Sequence, residues 1–327
     1  MATLILDNRA LELAIDGQAL ALYEAGERRG SLPLKLIERV VLQGDLSLNA
    51  GALTRLTENG ASILLLSKRH SRRLALVLGP AHNDAAIRLA QALAVADEQW
   101  CAHWALRQVR SKLRAQARLI KQAISARPDC HKPLTDALAS LQASLAALAG
   151  PDQPATVQRI RGLEGAAARA YFQGLSTLFP PSLDFTGRNR RPPRDPVNAA
   201  LSLAYTLLHF DAVRAAHIAG LDPLLGFYHR PAYGRESLAS DLIEPLRPLA
   251  DAWVWQLFRQ RHLREDHFGR DQGACLLGKT GREIFYQAFE TFAAAPRRLL
   301  RRQCRLLAAR FRGRGEAMLE HEAEDWA

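Results

Sequence analysis

The side chains of this sequence that are best suited to metal chemistry are Glu164, His229, Asp241 and Glu244. Glu164 lies in a predicted helix over residues 156–175 and falls on the apolar stripe of that helix. A carboxylate on a buried face is unfavourable unless it is paired with a cation or coordinates a metal ion. Small residues follow Glu164, which favours the close approach of another helix. The alternative is a structural ion pair between Glu164 and one of the many arginines.

Asp241 and Glu244 are three positions apart, so both project from one face of a predicted helix over residues 238–259. Pro245 removes a backbone N–H and frees the carbonyl group of Asp241. His229 precedes this helix in a segment rich in glycine and proline. Two acids at this spacing are common on solvated helices, and a single histidine beside an aromatic residue usually packs or forms a hydrogen bond. The combination of these groups with Glu164 is more informative than any one of them.

Three carboxylates and one imidazole form a ligand set that suits Mg²⁺ or Mn²⁺, and the imidazole favours Mn²⁺. The ligand set fits zinc less well, because no thiolate or second histidine has the spacing of a zinc site. The four cysteines are scattered without a C-x-x-C pair, which excludes a zinc knuckle and a dense disulfide framework. We therefore expect a divalent cation to bind at Glu164, His229, Asp241 and Glu244.

A segment rich in arginine and proline, residues 184–198, separates Glu164 from His229. Its prolines stiffen the chain, so that it can hold several guanidinium groups towards phosphates with little loss of entropy. Asn198 lies in the first turn of the next predicted helix, where it can donate to an oxygen atom or complete a cap. The candidate nucleic-acid-binding residues of this segment are Arg188, Arg190, Arg191 and Asn198. The alternative for any one arginine is a place on a solvated connector.

Two predicted helical faces are basic. The first contains Arg110 and Arg114 within a series of basic residues between positions 107 and 121. The second lies in residues 297–314, which hold eight arginines, Arg297 and Arg301 among them, and no acid. A plain amphipathic helix explains the spacing, but the absence of compensating acids favours contact with phosphates. We predict that Arg110, Arg114 and Arg301 bind nucleic acid.

The elements that must position these residues differ between the two parts of the chain. Residues 3–78 contain short, strand-like apolar runs, such as the run at residues 34–37. Asp16-Gly17 lies between two alternating runs and predicts a hairpin. Residues 50–59 predict one short helix. We therefore expect a small N-terminal β domain over residues 1–80.

Gly79-Pro80 interrupts both helical and strand periodicity, so we place a domain boundary there. The remainder, residues 81–327, is predicted to form a larger all-α domain. Its expected helices cover residues 87–124 with one break, 134–148, 156–175, 196–219, 238–259, 280–293 and 297–312. Asp195 is an N-cap candidate, and Thr280 and Glu283 fit a capping box. The predicted fold class is α+β with two domains.

The charge of the chain is distributed unevenly. Lysine and arginine number 44 and aspartate and glutamate 33, a net charge of +11 at pH 7. Residues 1–80 carry 10 basic and 8 acidic side chains, a net charge of +2. The remaining residues carry 34 basic and 25 acidic side chains, a net charge of +9. This excess favours a polyanionic partner, although a well-solvated surface explains charge alone equally well. No apolar run approaches the roughly 18 residues of a membrane span, and no signal peptide is evident, so a cytoplasmic protein is expected.

Four motifs occur in order along the chain and resemble those of one known family. They are Leu163-Glu-Gly-Ala-Ala167, Arg190-Arg-Pro-Pro-x-Asp-Pro-Val-Asn198, Gly220-Leu-Asp-Pro-x-x-Gly-Phe-x-His229 and Ser237-Leu-Ala-x-Asp-Leu-x-Glu-Pro-x-Arg-Pro248. The family is the CRISPR-associated spacer-acquisition integrase, also called the CRISPR-associated endonuclease of the adaptation module. The N-terminal pattern at residues 34–42 and 60–67 is similar too.

The resemblance implies a fold, a site and partners. The family has an N-terminal β domain and a C-terminal helical domain, and its metal site corresponds to Glu164, His229 and Asp241. Glu244 matches a fourth acidic position near that metal, where family members often have aspartate. The resemblance also implies a homodimer through the β domains, and a small second subunit with a ferredoxin-like fold that two such dimers bridge. Residues 297–314 lie outside these motifs.

The predicted function is metal-assisted phosphoryl transfer on double-stranded DNA. In the reaction that the resemblance implies, a 3′-hydroxyl of a short incoming DNA attacks a phosphodiester at the repeat boundary of a CRISPR array. With water as the nucleophile, the same site cleaves DNA. Glu164, His229 and Asp241 are the predicted catalytic residues, and His229 also assists proton transfer. A structure-specific repair nuclease would share this site, whereas a non-catalytic DNA-binding scaffold would use the acids only to pair with arginines.

Overall fold

The computed structural model describes residues 2–7, 10–43, 46–67, 73–80, 82–149, 156–189 and 192–325. The predicted nucleic-acid-binding residues Arg190 and Arg191 lie outside this part of the chain. The chain divides into two compact units, Met1–Asn83 and Asp84–Ala327. The first is a small β region and the second is predominantly helical, as the sequence predicts.

The described part of the N-terminal unit contains two four-stranded sheets. Its elements are β1 (Ala2–Leu6), β2 (Leu11–Asp16), β3 (Ala19–Glu24), β4 (Glu27–Pro33), β5 (Ile37–Gln43), β6 (Ser47–Leu48), α1 (Ala50–Glu58), β7 (Ser62–Leu66) and β8 (Arg73–Val77). One sheet has the order β1-β5-β7-β8, in which only the β7–β8 pair is antiparallel. The other has the order β4-β3-β2-β6, in which only the β2–β6 pair is parallel. Leu13, Leu20, Val40, Leu56 and Ile63 belong to the buried core of this unit.

Two local predictions for this unit are confirmed and one is corrected. The hairpin turn forms at Gly17-Gln18, directly after Asp16, and Gly17 has a positive φ of 57°. Helix α1 forms and is followed by Gly60 with a φ of 77°, a conformation that favours glycine. The strand expected at residues 34–37 starts only at Ile37, because Leu34–Leu36 form a 3₁₀ turn.

The second unit is built mainly from helices. They are α2 (Ala85–Ala96), α3 (Glu98–Ala126), α4 (His131–Ala147), α5 (Val157–Ser176), α6 (Pro196–Ile218), α7 (Ser237–Ile243), α8 (Arg247–Arg259) and α9 (Lys279–Asp325). The expected break between α2 and α3 is at Asp97, whose side chain accepts a hydrogen bond of 2.9 Å from the Trp100 amide. Asp195 caps α6 in the same way, at 2.8 Å from the Asn198 amide, so the predicted N-cap is confirmed.

The helix predicted over residues 238–259 is divided in the structure. It consists of α7, a 3₁₀ turn at Glu244–Leu246, and α8. Pro245 has no backbone N–H to donate, so α7 ends before it. The division places Glu244 on a turn, whereas Asp241 lies in α7.

The helices predicted over residues 280–293 and 297–312 are one helix, α9, which contains Pro296. Thr280 therefore lies inside a helix and does not form the predicted cap. Buried side chains on both sides of Pro296 offset the hydrogen bond that the proline removes. Within the described residues no helix, α9 included, combines the length and apolar character that crossing a membrane requires.

A two-stranded sheet interrupts the helical unit, which the sequence predicts as all-α. Strand β9 (Phe268–Asp271) pairs with β10 (Ala274–Leu277) in antiparallel orientation. Gln272 and Gly273 both have positive φ, 48° and 78°, as a two-residue hairpin turn requires. The Cys275 amide donates a hydrogen bond of 2.7 Å to the Pro193 carbonyl group, so this hairpin holds the end of the arginine-rich segment.

Candidate metal centre

The structure brings the four predicted site residues together around Lys112 of α3. Glu164 lies on α5, His229 in the loop between α6 and α7, Asp241 on α7, and Glu244 at the turn that follows. The Lys112 ammonium group contacts Oε1 of Glu164 and lies 2.7 Å from Oε2 of Glu244. His229 is 2.8 Å from Asp241 through Nδ1 and 4.0 Å from Oε1 of Glu244 through Nε2. These contacts form one continuous polar cluster.

Asp241 is fully buried, and the loop that carries His229 uses both of its oxygens. Oδ2 accepts hydrogen bonds from the amides of Phe227 and Tyr228, at 2.8 and 2.9 Å. Oδ1 lies 2.8 Å from both the amide and Nδ1 of His229. A carboxylate that accepts four hydrogen bonds has no lone pair left for a metal ion. These contacts allow Asp241 to position the His229 loop, and its role as a metal ligand stays a prediction.

The contact with Asp241 fixes the orientation of the His229 ring. Because an ionised carboxylate can only accept, Nδ1 of His229 carries the proton of this hydrogen bond. Nε2 then offers its lone pair on the side of Glu244. A carboxylate behind an imidazole in this way is a common support for a metal-binding histidine.

Close packing holds the loop at residues 226–229 against the start of α7. A Cβ atom on Gly226 would lie 2.5 Å from the carbonyl carbon of Ser237 and 2.7 Å from the carbonyl oxygen of His229, so only glycine fits. The Phe227 ring lies 5.2 to 5.9 Å from three other rings, those of Trp100, Trp104 and Phe311. These rings belong to α3 and α9, so helices distant in sequence support the loop.

Glu244 is buried and contacts two cations. Its Oε1 atom lies 3.3 Å from Nη2 of Arg247, in addition to the contact between Oε2 and Lys112. Burial alone would raise the pKa of Glu244, but attraction by Arg247 and Lys112 outweighs it and lowers the pKa to about 2. Glu244 is therefore ionised at neutral pH.

Each oxygen of the partly buried Glu164 has a donor. Lys112 contacts Oε1, and the Tyr228 hydroxyl group donates to Oε2 at 3.1 Å. The ion pair that was the alternative for Glu164 does form, with a lysine instead of an arginine. Of the small residues that follow Glu164, Gly165 is exposed and Ala167 is fully buried. The tightest contact of a glycine of α5 is at Gly174, where a Cβ would lie 2.7 Å from a side chain of α4.

Lys112 was not among the residues predicted from the sequence, although a signal was present. It lies four positions from Gln108 and from Gln116, and all three side chains are buried on α3. A buried lysine needs compensating acids. Burial alone would lower the pKa of Lys112, but Glu244 and Glu164 raise it overall, so the ammonium group stays charged.

A further buried acid, Asp251 of α8, is linked to this cluster through Arg247. The hydroxyl groups of Tyr171 and Tyr205 donate to its two oxygens, that of Tyr171 at 2.7 Å. The guanidinium groups of Arg247 and Arg188 lie over the Tyr205 ring, 5.0 and 5.3 Å from its centroid. Burial raises the pKa of Asp251 to about 6, although the two hydroxyl groups act in the opposite direction.

Two predicted nucleic-acid-binding residues are engaged inside the protein. Arg188 donates to Oδ1 of Asn198 at 2.6 Å and to the Ser202 hydroxyl group at 3.1 Å. Asn198 is fully buried, accepts from the Asn189 amide at 3.0 Å, and donates to Oδ2 of Asp195 at 2.6 Å. The alternative for Asn198, a role in the cap of α6, is confirmed, whereas its contact with nucleic acid stays a prediction. Arg188 points inward and braces the same turn.

The two basic helical faces are only partly as predicted. On α3, Arg114 is exposed and Arg110 is partly exposed, and on α9 Arg301 is exposed. Arg297, by contrast, is buried, and its Nε lies 2.8 Å from Asp211 of α6. The exposed basic face of α9 therefore excludes Arg297.

The donor set of Glu164, His229 and Glu244 fits a hard divalent cation. Two carboxylates and an imidazole are ligands that Mg²⁺ and Mn²⁺ accept. The two carboxylates already share one cation, the ammonium group of Lys112. As the side chains lie here, no three His, Cys, Asp or Glu groups among the described residues are close enough to enclose an ion.

Comparison with known sequences gives one family. The family model described as CRISPR associated protein Cas1 matches residues 4–291. The protein named CRISPR-associated endonuclease Cas1 1 of Thermodesulfovibrio yellowstonii is 35% identical over 318 residues, which are 95% of this chain and 97% of that protein.

Two solved structures share the fold. A casposase bound to its integration product matches with a TM-score of 0.81 and 22% identity, over 96% of this chain and 91% of that chain. A Cas6-RT-Cas1–Cas2 complex matches with a TM-score of 0.81 and 23% identity, over 96% of this chain and 35% of that chain. Because the family model spans most of the sequence and a curated relative is 35% identical over nearly all of it, the chain belongs to the CRISPR-associated Cas1 family.

Proposed function

We propose that this protein is a metal-dependent DNA integrase and endonuclease of CRISPR adaptation. It joins the 3′-hydroxyl of a short DNA to a phosphodiester at the border of a CRISPR repeat, and with water as the nucleophile it cleaves DNA. The observation that carries the proposal is that Glu164 and Glu244 meet at one buried ammonium group, with Nε2 of His229 4.0 Å from Glu244. Membership of the Cas1 family and a fold in common with a casposase support it.

In this proposal Glu164, Nε2 of His229 and Glu244 hold the metal ion. A bound Mg²⁺ or Mn²⁺ supplies a Lewis acid that stabilises charge on the phosphoryl group and lowers the pKa of the attacking hydroxyl. The imidazole favours Mn²⁺ of the two. Asp241 holds the proton of His229 at Nδ1, so that Nε2 remains available as a ligand. Asp241 is thus a positioning residue in place of the ligand that the sequence suggested.

Exposed arginines on two helices supply the electrostatic part of DNA binding. Arg114 and Arg301 are exposed on α3 and α9. Loss of one phosphate contact should reduce the slope of log K against log salt by about 1, because fewer counterions are released. We expect Arg114→Ala and Arg301→Ala each to do so in fluorescence anisotropy titrations with duplex DNA, whereas Arg28→Ala, an exposed arginine of the β unit, should not. An unchanged slope in both helical variants would mean that these faces are only solvated.

The proposed assembly is a homodimer with a small second subunit. A solved complex that contains this fold is named as a Cas1–Cas2 assembly, which supports a Cas2-type partner for this chain. The sequence resemblance suggests that residues 1–80 form the dimer and that the partner has a ferredoxin-like fold. Light scattering should give twice the mass of the chain alone and a larger species when the partner is added. A monomer under all conditions would contradict this assembly.

Strand transfer by the Glu164→Gln variant decides between the proposed function and two others. The wild type should join a labelled 3′-hydroxyl DNA to a repeat-containing duplex with Mn²⁺ but not with EDTA, and Glu164→Gln should not do so at all. A scaffold would bind DNA equally well with EDTA and never nick it. A repair nuclease would cut branched DNA without preference for the repeat or need for the partner. Full strand transfer by Glu164→Gln would refute the metal assignment.

A further inference from the structure

Lys112 is a charged residue of the centre to which the proposed function gives no role. Its side chain is 10% exposed, and its ammonium group contacts Oε1 of Glu164 and Oε2 of Glu244. It reaches the site from α3, whereas the carboxylates come from α5 and from the turn after α7. A lysine from a separate helix therefore pairs with both carboxylates at once.

The same carboxylates are the oxygen ligands that the proposed function assigns to a divalent cation. Two cations that share carboxylates in a buried site repel each other strongly, because the interior screens charge poorly. The remaining oxygens do not remove this conflict. Oε2 of Glu164 accepts from the Tyr228 hydroxyl group, and Oε1 of Glu244 faces Arg247. A metal ion on Oε1 of Glu164 or Oε2 of Glu244 therefore displaces Lys112, and one on the other two oxygens stays within the width of a carboxylate group of it.

We propose that Lys112 competes with the divalent cation for Glu164 and Glu244, holding the two carboxylates together until the metal displaces it. This inference rests on the proposed metal function of these residues. Its consequence is a centre that keeps its carboxylates paired without metal, at the expense of metal affinity. Lys112 is in this sense a residue that sets the affinity, and not a ligand.

Mn²⁺ binding to the full chain tests the competition without any need for activity. Lys112→Met and Lys112→Gln remove the charge, and Lys121→Met removes an exposed lysine of the same helix as the matched control. Electron paramagnetic resonance of free Mn²⁺ gives the dissociation constants. We expect both Lys112 variants to bind Mn²⁺ at least roughly tenfold more tightly than the wild type, the factor that one hydrogen bond to a charged group provides. Lys121→Met should bind like the wild type.

Thermal unfolding provides a second readout. In EDTA, Lys112→Met should have a lower Tm than the wild type, because Glu164 and Glu244 lose their common cation. Mn²⁺ should then raise the Tm of this variant by more than it raises that of the wild type. If the methionine variant does not fold, Lys112→Gln carries the test, since its amide can still donate to the carboxylates. Equal or weaker Mn²⁺ binding in the folded Lys112 variants would overturn the competition.

The Glu164→Gln variant separates this inference from the proposed function. Mn²⁺ binding that is present in the wild type and lost in Glu164→Gln supports the metal centre, whatever Lys112 does. If the Lys112 variants then bind no better than the wild type, only the competition fails. If neither the wild type nor Lys112→Met binds Mn²⁺, the metal centre fails and the competition fails with it.

Discussion

Asp241 and Glu244 lie three residues apart and are both buried, but their partners are of opposite kinds. Asp241 accepts hydrogen bonds from the backbone and the ring of the loop that carries His229. Glu244 contacts the charged ends of Lys112 and Arg247. The donors around Asp241 are part of the local fold, whereas those around Glu244 are long side chains that another cation can replace. In the proposed function, the partners, and not the spacing along the chain, therefore distinguish a positioning carboxylate from a metal ligand.

Asp251 extends this comparison to a third kind of partner. Its oxygens accept from the uncharged hydroxyl groups of Tyr171 and Tyr205. The pKa of Asp251 is raised to about 6, whereas that of Glu244 is lowered to about 2. Because both side chains are buried, the difference comes from the charge of their partners.

The largest expected effect is that of Glu244→Gln. The substitution keeps the size of the side chain but removes the charge that attracts a metal ion. We expect Mn²⁺ binding to be lost and strand transfer to fall at least about 10³-fold, or about 4 kcal/mol, because the metal stabilises the transition state. Glu283→Gln, an exposed glutamate of α9, is the matched control. Near-normal strand transfer by Glu244→Gln would remove Glu244 from the ligand set.

Asp251→Asn should change the dependence of stability on pH. Because the folded-state pKa is raised from 3.8 to about 6, Asp251 contributes stability that is fully present below about pH 4 and is lost as the pH rises through 6. A pKa difference of this size corresponds to at most about 3 kcal/mol. In urea unfolding, the free energy of unfolding of the wild type should fall relative to that of Asp251→Asn between about pH 4 and pH 7. The fall should be up to about 3 kcal/mol. A constant difference over that range would show that Asp251 is ionised throughout.

Features set by local chemistry could be predicted from the sequence. The cap at Asp195 and the turn at Gly17 depend on a few neighbouring atoms, and the structure contains both. Strand β4 was missed because its sequence, Glu27–Pro33, has no apolar alternation, and it forms by pairing with β3. The single helix α9 was missed because burial on both sides of Pro296 outweighs its intrinsic cost.

The candidate site likewise contains residues that could be predicted from the sequence and residues that could not. The types of Glu164, His229 and Glu244 indicated metal chemistry, since few other functions explain acids on apolar faces. The roles of Asp241 and Lys112 depend on contacts across the fold. The donors to Asp241 are mostly backbone amides, which every sequence contains, and the partners of Lys112 are 52 and 132 positions away along the chain. Neither the contacts of Asp241 nor those of Lys112 can therefore be recognised from a local sequence pattern.

Asp241→Asn should have a smaller effect than Glu244→Gln if Asp241 only positions the loop. The amide nitrogen of asparagine cannot accept, so some of the four donors lose their partner and His229 is held less firmly. Loss of such a supporting contact typically weakens metal binding by about 10- to 100-fold. Mn²⁺ titration should therefore give weaker but measurable binding, with Asp136→Asn on the surface of α4 as the control. Complete loss of binding in a folded Asp241→Asn protein would return Asp241 to the ligand set.

The smallest expected effect is that of Tyr228→Phe, which tests whether a neutral donor supports the metal or competes with it. The Tyr228 hydroxyl group donates to Oε2 of Glu164, and the ring, which phenylalanine keeps, lies under Arg161 at 5.5 Å. A neutral donor adds no positive charge and fixes the carboxylate, so its loss should weaken Mn²⁺ binding by about fivefold, or about 1 kcal/mol. Tyr233→Phe, on a fully exposed ring, is the control. Tighter Mn²⁺ binding by Tyr228→Phe would mean that the hydroxyl group, like Lys112, competes with the metal ion. The distinction between donors that the fold holds in place and cations that a metal ion can replace would then not hold for Glu164.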